Sequence, residues 1–430
     1  MTYSDAVASL YRLQKHGIKL GLERMAALSD RLGHPERDFL CLHIAGTNGK
    51  GSTASMTASI LEAAGYRVGL YTSPHLVDFR ERIRINGEMI PELDVAKLTA
   101  KILAEDQSDV CPTFFECTTA MALRYFADRR VDVAVLEVGL GGRFDATNIV
   151  APAACAITTI ALDHQEYLGD TLSAIAFEKA GIIKARVPVI VGSIEGDAFR
   201  MIEDVAQERQ AQLECLGRDF AIQGTREHFA YRGTVWELDG LSCTLDGAHQ
   251  LDNAACAIAL LEASSSRGLS VTEAAVRRGL QQVRWEGRLE RIEETPLLLL
   301  DGAHNPAGAG ALAAYLQTLR VDHPRRRIIL VLGMMRDKDH SGFFAPLKSV
   351  VDHVVLTQAG LARSSSAHDL GQELESVLPS WTLAAGSTEA VAMARRLASA
   401  DDVICVTGSL MLLGEVKALL RGCELSPLQG

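Results

Sequence analysis

A glycine-rich segment near the start of the chain has the composition of a phosphate-binding loop: Gly46, Thr47, Asn48, Gly49, Lys50, Gly51, Ser52 and Thr53. Glycines let backbone N–H groups approach phosphate oxygens, Lys50 offsets their charge, and Ser52 or the following threonine offers a hydroxyl toward Mg²⁺. The fit is imperfect, because Ile44 occupies the position five before Gly49, where glycine is usual, and Gly51 separates Lys50 from Ser52. The alternative is a turn that merely caps a helix. Since the segment lies between a predicted strand and a predicted helix, binding of ATP or GTP is the favoured interpretation.

A carboxylate, Glu137, ends the very apolar stretch 131–138, which is typical of a buried strand. Parallel strands deliver the side chains at their carboxyl ends to one edge of a sheet, so Glu137 is expected beside the phosphate loop. A carboxylate is a hard ligand of the kind that Mg²⁺ prefers. The sequence therefore predicts Glu137 as a metal ligand.

The elements that must position these groups alternate along the chain. The predicted strands of the first part are 39–44, 68–71, 131–138, 154–160 and 188–192, and the predicted helices include 52–64, 115–129 and 171–183. This alternation is typical of a mostly parallel sheet covered by helices on both faces. Asn86-Gly87, a pair favoured in tight turns, predicts one short hairpin that interrupts it.

A second α/β unit is predicted after the segment 284–288, where the alternation restarts. Its predicted strands are 297–301, 327–333, 353–357 and 402–407. A chain of 430 residues also exceeds the size at which one hydrophobic core usually stops growing. We therefore predict an α/β protein with an N-terminal phosphate-loop ATPase domain over residues 1–287 and a smaller Rossmann-like domain over residues 288–430.

Composition excludes several classes of function. A net charge of −11 argues against general nucleic-acid binding, which needs a broad basic face. No apolar run has the length of a signal peptide or membrane span, so we expect a cytoplasmic protein without a membrane partner. Nine cysteines lie singly with no Cys-x-x-Cys pair, which predicts reduced thiols rather than a disulfide framework or a zinc module.

The chain resembles a known family on segments spread over nearly its whole length. They are Gly21-Leu22-Glu23-Arg24 and residues 43–52, 71–76, 136–143, 145–148, 161–164, 178–181 and 301–306. In this order they resemble the folylpolyglutamate synthase and dihydrofolate synthase family, itself similar to the Mur ligases of cell-wall synthesis. The resemblance implies ATP-dependent addition of L-glutamate to dihydropteroate and to folates. One departure is Glu286, since that family often has proline before the Gly-Arg of the linker.

The resemblance also implies roles for individual residues. The implied catalytic residues are Lys50, Lys179 and His304. The implied nucleotide-binding residues are Gly46, Thr47, Asn48, Gly49, Lys50, Gly51, Ser52, Asn253, Arg288 and Asp301. The implied metal ligands are Ser73, Glu137 and His164. The implied pterin-site residues are Leu20, Gly21, Leu22, Arg24, Glu116, Cys117, Thr118, Phe144, Asp145 and Ala146.

The cofactors that the resemblance implies are ATP and Mg²⁺ at two sites, with Lys179 carbamylated so that a cation becomes an anion able to contact the second ion. A monomer that binds only small molecules is expected. In the implied reaction, the substrate carboxylate attacks the γ-phosphate of ATP, and the amine of glutamate then displaces phosphate from the acyl phosphate. Lys50 and the metal ions stabilise the charge on the transferring oxygens.

Taken one at a time, several of these residues also have plain structural interpretations. Ser73 can be a turn serine, His164 a hydrogen-bonded loop histidine, and Lys179 a solvated cation near a helix end. Asn305 and Pro306 fit a helix cap followed by proline at the first helical position, which is compatible with a role for Asp301 at the nucleotide.

Two other functions remain open from the sequence. A Mur-type ligase acting on a nucleotide-linked muramyl substrate would share the fold and the chemistry. A nucleotide-dependent switch without ligase activity would hydrolyse ATP slowly, with no stimulation by a carboxylate or an amino acid.

Overall fold

The structure is a computed structural model that describes residues 1–17, 19, 21–104 and 112–426. Its N-terminal part is built on an eight-stranded sheet with the strand order β4-β3-β2-β5-β1-β6-β7-β8. The strands are β1 (Leu40–Ala45), β2 (Val68–Tyr71), β3 (Ile83–Ile85), β4 (Glu88–Met89), β5 (Val133–Glu137), β6 (Ala154–Ile157), β7 (Val189–Val191) and β8 (Leu213–Cys215). The neighbours β2, β5, β1, β6, β7 and β8 run parallel, whereas β3 pairs antiparallel with both β2 and β4.

Helices cover both faces of this sheet, as the alternating pattern predicts. They are α1 (Tyr3–Arg12), α2 (Glu23–Arg31), α3 (Lys50–Ala63), α4 (Glu92–Ala104), α5 (Phe114–Asp128), α6 (Gln165–Leu168), α7 (Leu172–Ala180), α8 (Gly196–Glu208), α9 (His249–Ser264) and α10 (Glu273–Gln282). Helices α3, α9 and α10 pack in one apolar core, and α1, α2, α4 and α5 pack in another. Burial of the strands on both faces explains their continuous apolar runs.

A three-stranded antiparallel sheet adjoins the first core, formed by β9 (Ala221–Thr225), β10 (His228–Arg232) and β11 (Glu237–Leu241). A six-stranded sheet then forms the C-terminal part, with the order β12-β13-β17-β14-β15-β16. Its strands are β12 (Glu290–Glu294), β13 (Leu297–Leu300), β14 (Ile328–Leu332), β15 (His353–Leu356), β16 (Ser380–Leu383) and β17 (Val403–Thr407). Its helices are α11 (Pro306–Asp322), α12 (His340–Phe344), α13 (Ala367–Leu374), α14 (Ser387–Leu397) and α15 (Leu410–Arg421).

The predicted fold class is confirmed: a large, mainly parallel sheet is followed by a smaller α/β sheet. The first strand of the second sheet begins at Glu290, and the predicted domain boundary at residues 287 and 288 stays a prediction. The predicted strands lie within a few residues of those observed. The β9–β11 sheet and strands β8, β12 and β16 were not predicted.

The eight cysteines that the structure describes form no disulfide bond, and seven of them are buried. Cys423 is the exposed one. Within the same described part of the chain, no helix is long and apolar enough to cross a membrane.

Candidate active site

Strand register gathers the predicted site at the carboxyl edge of the first sheet. Ile44 of β1 lies beside both Glu137 of β5 and Ala156 of β6, and Tyr71 of β2 lies beside Leu136. The loops that leave these strands therefore emerge side by side. They carry the phosphate loop, Ser73, Glu137 and the segment that leads to His164.

The phosphate loop needs glycine at two positions. Gly46 has φ +148°, and a Cβ there would lie 1.9 Å from Thr158 Oγ1. Gly49 has φ +85°, and a Cβ there would lie 2.3 Å from Asn253 Oδ1. Both positions combine a positive φ with a close neighbour, so only glycine fits without rearrangement. The contact also explains how Asn253, on α9, reaches the loop.

Two threonines after β6 lock the loop in place. The Asn48 N–H donates to Thr159 Oγ1 at 2.9 Å, and Thr158 Oγ1 donates to the Asn48 carbonyl at 2.6 Å. Sequence reasoning missed both threonines. Both threonines directly follow a strand that ends at the same edge of the sheet as Glu137, and this position could have identified them as site residues.

Lys50 and Lys179 converge on one carbonyl of the phosphate loop. Lys50 Nζ donates to the Gly46 carbonyl at 3.0 Å, and Lys179 Nζ donates to the same oxygen at 2.9 Å. Burial and the nearby charge of Lys50 lower the pKa of Lys179 to about 7. Lys179 is thus a buried amine with a substantial uncharged fraction near neutral pH, rather than the solvated cation that its helix-end position allows.

Glu137 and Ser73 form the candidate metal site. The Ser73 N–H donates to Glu137 Oε2 at 3.0 Å, and both residues line the cavity beside Lys50. Burial raises the pKa of Glu137, while Lys50 and the Ser73 N–H act in the opposite direction. A buried carboxylate with few partners is a group that a divalent cation would satisfy.

His164, the third predicted ligand, lines the same cavity. It is the residue immediately before α6 and has φ +50°. Its side chain is 40% exposed, and partial desolvation by the cavity walls lowers its pKa, which favours the neutral form that ligates a metal. Among the described residues, no three His, Cys, Asp or Glu side chains form a metal-holding group. The oxygen donors of Glu137 and Ser73 suit a hard ion such as Mg²⁺, which takes one or two protein ligands and completes its shell with phosphate and water.

Asp163 joins the phosphate-loop side of the cavity to the C-terminal part. Its carboxylate accepts from Lys338 Nζ at 2.6 Å and from Asn305 Nδ2 at 3.2 Å, and it lies 3.3 Å from His304 Nε2. Burial opposes ionisation, but His304, His164 and Lys338 outweigh it and hold the pKa of Asp163 below its usual range. Asn305 and Asn48 also exchange amide hydrogen bonds at 3.1 Å. These contacts hold the two sheets' loops together across the cavity.

The C-terminal part supplies the remaining predicted nucleotide residues. Both carboxylate oxygens of Asp301 accept backbone N–H bonds at 3.0 Å, from Leu289 and Ala303. Asn305 caps α11 by accepting from the Gly308 N–H at 2.9 Å, as the sequence predicts. Arg288 lines the cavity together with Ser73, Glu137 and the phosphate-loop residue Gly51.

The cavity has a volume of about 1010 Å³, at the upper limit of the usual range of ligand sites. Its lining includes the phosphate loop, Lys179, Asp301 and His304. The lining also includes aromatic, aliphatic and acidic side chains: Phe115, Glu116, Phe144, Asp145, Tyr167 and Leu168. The Arg143 guanidinium covers the Phe144 ring at 4.2 Å. The cavity therefore combines phosphate-binding groups with apolar rings and a few polar groups.

Several predicted pterin residues lie outside the cavity lining. Cys117 and Thr118 are fully buried in α5, where Thr118 Oγ1 lies 3.2 Å from the Tyr71 hydroxyl. Gly21 and Leu22 precede α2, and Arg24 Nε donates to Glu116 Oε1 at 3.0 Å. Arg24 thus supports the lining residue Glu116, and the pterin roles of all these positions stay predictions. Leu20 lies outside the described residues.

Fold and phosphate loop together define a Mur-type ligase, and family models agree. A model described as the Mur ligase middle domain matches residues 44–261, and one described as the Mur ligase, glutamate ligase domain matches residues 287–410. The dihydrofolate synthase/folylpolyglutamate synthase of Bacillus subtilis is 34% identical over 97% of this chain and 99% of its own length. The protein of the same description from Escherichia coli is 38% identical over 96% of this chain and 94% of its own length. The chain belongs to the dihydrofolate synthase/folylpolyglutamate synthase family.

Solved structures agree with this assignment. Escherichia coli FolC in complex with DHPP and ADP superimposes with a TM-score of 0.90 at 36% identity, covering 98% of both chains. The bifunctional folylpolyglutamate synthase/dihydrofolate synthase with Mn, AMPPNP and L-glutamate bound superimposes with a TM-score of 0.88 at 35% identity. The coverage there is 98% of this chain and 99% of the other.

Proposed function

We propose that this chain is an ATP-dependent ligase that joins L-glutamate to dihydropteroate and to folates through an amide bond, by way of an acyl phosphate. The observation that carries the proposal is one cavity lined both by the phosphate loop and by aromatic side chains such as Phe115 and Phe144. Such a cavity can hold the phosphate chain of ATP and an aromatic carboxylic acid at the same time. Full-length similarity to enzymes of this description supports the choice of substrate.

The cations of the cavity account for the first step. The substrate carboxylate and the γ-phosphate are both anions, so a positive field is needed to bring them together. Lys50 lies within the phosphate loop and Arg288 faces it from the linker. A divalent ion held by Ser73, Glu137 and His164 would supply further positive charge to the phosphate oxygens.

The second step needs a place for glutamate opposite the phosphate loop. Met335, Arg336, Asp337 and Lys338 line the cavity from the C-terminal part, with Arg363 and Ser409 nearby. Basic side chains in this position suit the two carboxylates of glutamate. We infer that the amine of glutamate approaches the acyl phosphate from this side and displaces phosphate.

Finer assignments belong to the same proposal. We infer that Lys179 is carbamylated, which its buried position and lowered pKa favour because only the neutral amine reacts with CO₂. Binding of two metal ions, the nucleotide roles of Asn253, Asp301 and His304, and the domain boundary at residues 287 and 288 are likewise inferred. A monomer in the cytoplasm, with neither a nucleic-acid nor a membrane partner, remains our prediction.

A panel of acceptors tests the proposal. Release of ADP is measured with ATP and L-glutamate in the presence of dihydropteroate, tetrahydrofolate, a nucleotide-linked muramyl substrate or no acceptor. We expect release with the two pteridine acceptors and little with the others. Turnover with only the muramyl substrate would favour the cell-wall ligase, and release that ignores every acceptor would favour a nucleotide switch.

A further inference from the structure

Glu286 is the linker residue that stands where the family often has proline, and it lies in a cluster of charged side chains. Its carboxylate is 3.0 Å from Lys417 Nζ and 2.5 Å from Arg421 Nη2, both on α15. The same Lys417 nitrogen is 2.6 Å from both oxygens of Glu290. Two cations thus face two carboxylates.

The centre of this cluster is shielded from water. The Lys417 side chain is 3% exposed, whereas exposed ion pairs are the ones that contribute little. Burial opposes the ionisation of Glu286, but Lys417 and Arg421 outweigh it and lower its pKa. The buried Lys417 is shared between Glu286 and Glu290, so its charge ties both linker-side carboxylates to α15.

The cluster is continuous with the backbone that carries Arg288. The Gly287 N–H donates to Glu290 Oε2 at 2.7 Å, and Gly287 has φ +69°. The Gly287 carbonyl accepts from Arg288 Nη1 at 3.0 Å and from the Gly302 N–H at 2.8 Å. A Cβ on Gly302 would lie 2.2 Å from Arg288 Nη1, so the guanidinium occupies space that only glycine leaves open.

Helix α15 also contacts the loop that carries the candidate metal site. A Cβ on Gly414 would lie 2.2 Å from the Leu76 carbonyl oxygen, and the Ser426 N–H donates to the Val77 carbonyl at 2.8 Å. Leu76 is three residues after Ser73. The element that fixes Glu286 is therefore packed against the same side of the cavity that Arg288 faces.

We propose that Glu286 is a positioning residue that acts through Arg288. Its ion pairs with Lys417 and Arg421 fix the linker backbone, so that the Arg288 guanidinium is held toward the phosphates of the bound nucleotide. A fixed guanidinium loses less conformational entropy when it binds phosphate. This inference rests on the nucleotide site of the proposed function.

A double-mutant cycle on nucleotide binding tests it. Glu286→Gln, Arg288→Ala and the double variant are titrated by calorimetry with a non-hydrolysable ATP analogue and Mg²⁺. Glu286→Gln is expected to weaken binding about threefold to tenfold in the wild-type background and less than twofold in the Arg288→Ala background, since coupled residues are not additive. Glu294→Gln, on the exposed side of β12, is the matched control and should not change the affinity.

An equal loss in both backgrounds, or no loss with Glu286→Gln, would overturn the proposal. If Glu286→Gln does not fold, the same cycle is run with Arg421→Gln, which removes the more exposed partner of Glu286. Binding of the analogue is measured without ligation. A wild-type chain that binds the analogue but makes no amide would therefore refute the proposed function. The double-mutant cycle on binding could still be interpreted in that case.

Discussion

The state of Lys179 gives the sharpest prediction for the active site. Its pKa is lowered from an ordinary value of 10.5 to about 7 by burial and by Lys50. At pH 7.5 a lysine with a pKa near 7 is roughly three-quarters unprotonated, against about one part in a thousand at the ordinary value. The amine fraction able to react with CO₂ is thus larger by a factor of roughly 700. We predict a carbamate on Lys179 that increases, at fixed dissolved CO₂, as the pH rises through about 7.

The substitution Lys179→Ala tests the role of this group, because it removes the side chain that would carry the carbamate. Loss of a preorganised charged group at a phosphoryl-transfer site costs on the order of 10²–10³ in turnover. Acetate or formate should restore part of that loss by occupying the vacated space. Lys179→Arg is the control, because it keeps a positive charge but cannot form the same carbamate.

The assay combines activity with a direct signal. Enzyme freed of CO₂ should regain activity with bicarbonate, and ¹³C-bicarbonate should give a carbamate resonance that Lys179→Ala lacks. An arginine variant as active as the wild type would refute the reasoning, because a cation would then be sufficient. A wild-type enzyme without the resonance would refute the carbamate itself.

Three further predictions concern the cations around the phosphates. Lys50→Ala should retain less than about a tenth of wild-type turnover, since a loss of about 1.4 kcal/mol in transition-state stabilisation already gives that factor. Substitution of the exposed Lys97 by alanine is the control. Normal turnover of Lys50→Ala would mean that another lysine binds the phosphate. Arg288→Ala should raise KM for ATP, while the circular dichroism spectrum and Tm stay near those of the wild type. Substitution of the exposed Arg284 by alanine is the control. If Arg288→Ala unfolds the protein instead, Arg288 has a structural role. Lys338→Met should lower kcat/KM at least tenfold, because it removes one cation that pairs with the shielded Asp163 carboxylate. A tenfold loss corresponds to an increase of about 1.4 kcal/mol in the activation free energy. Lys338→Arg should retain most of the activity, and a methionine variant with unchanged kinetics would contradict the role of this pair.

The parts of the site that the sequence predicted are local. The phosphate loop is contiguous, and its glycines, lysine and flanking elements are all visible within one segment. Glu137 followed from one rule, that parallel strands present their carboxyl ends at a common edge. The cap formed by Asn305 likewise depends only on its immediate neighbours.

The parts that were missed depend on long-range geometry or on weak patterns. The pair between Asp163 and Lys338 joins residues 175 positions apart, so no local pattern indicates it. Strands β9 to β11 have largely exposed or partly exposed residues without a continuous apolar run, so periodicity did not reveal them. Carbamylation of Lys179 came from the family resemblance alone and stays a prediction, for which burial beside Lys50 provides a physical reason.

Transfer of oxygen between substrate and phosphate tests the central claim most directly. Dihydropteroate labelled with ¹⁸O in its carboxylate is incubated with ATP and L-glutamate, and the phosphate and the pteridine product are analysed by mass spectrometry. If the carboxylate is activated as an acyl phosphate and then joined to the amine of glutamate, each amide formed releases one phosphate that carries one ¹⁸O. Phosphate without label, or ADP and phosphate formed with no glutamate in the product, would contradict the account.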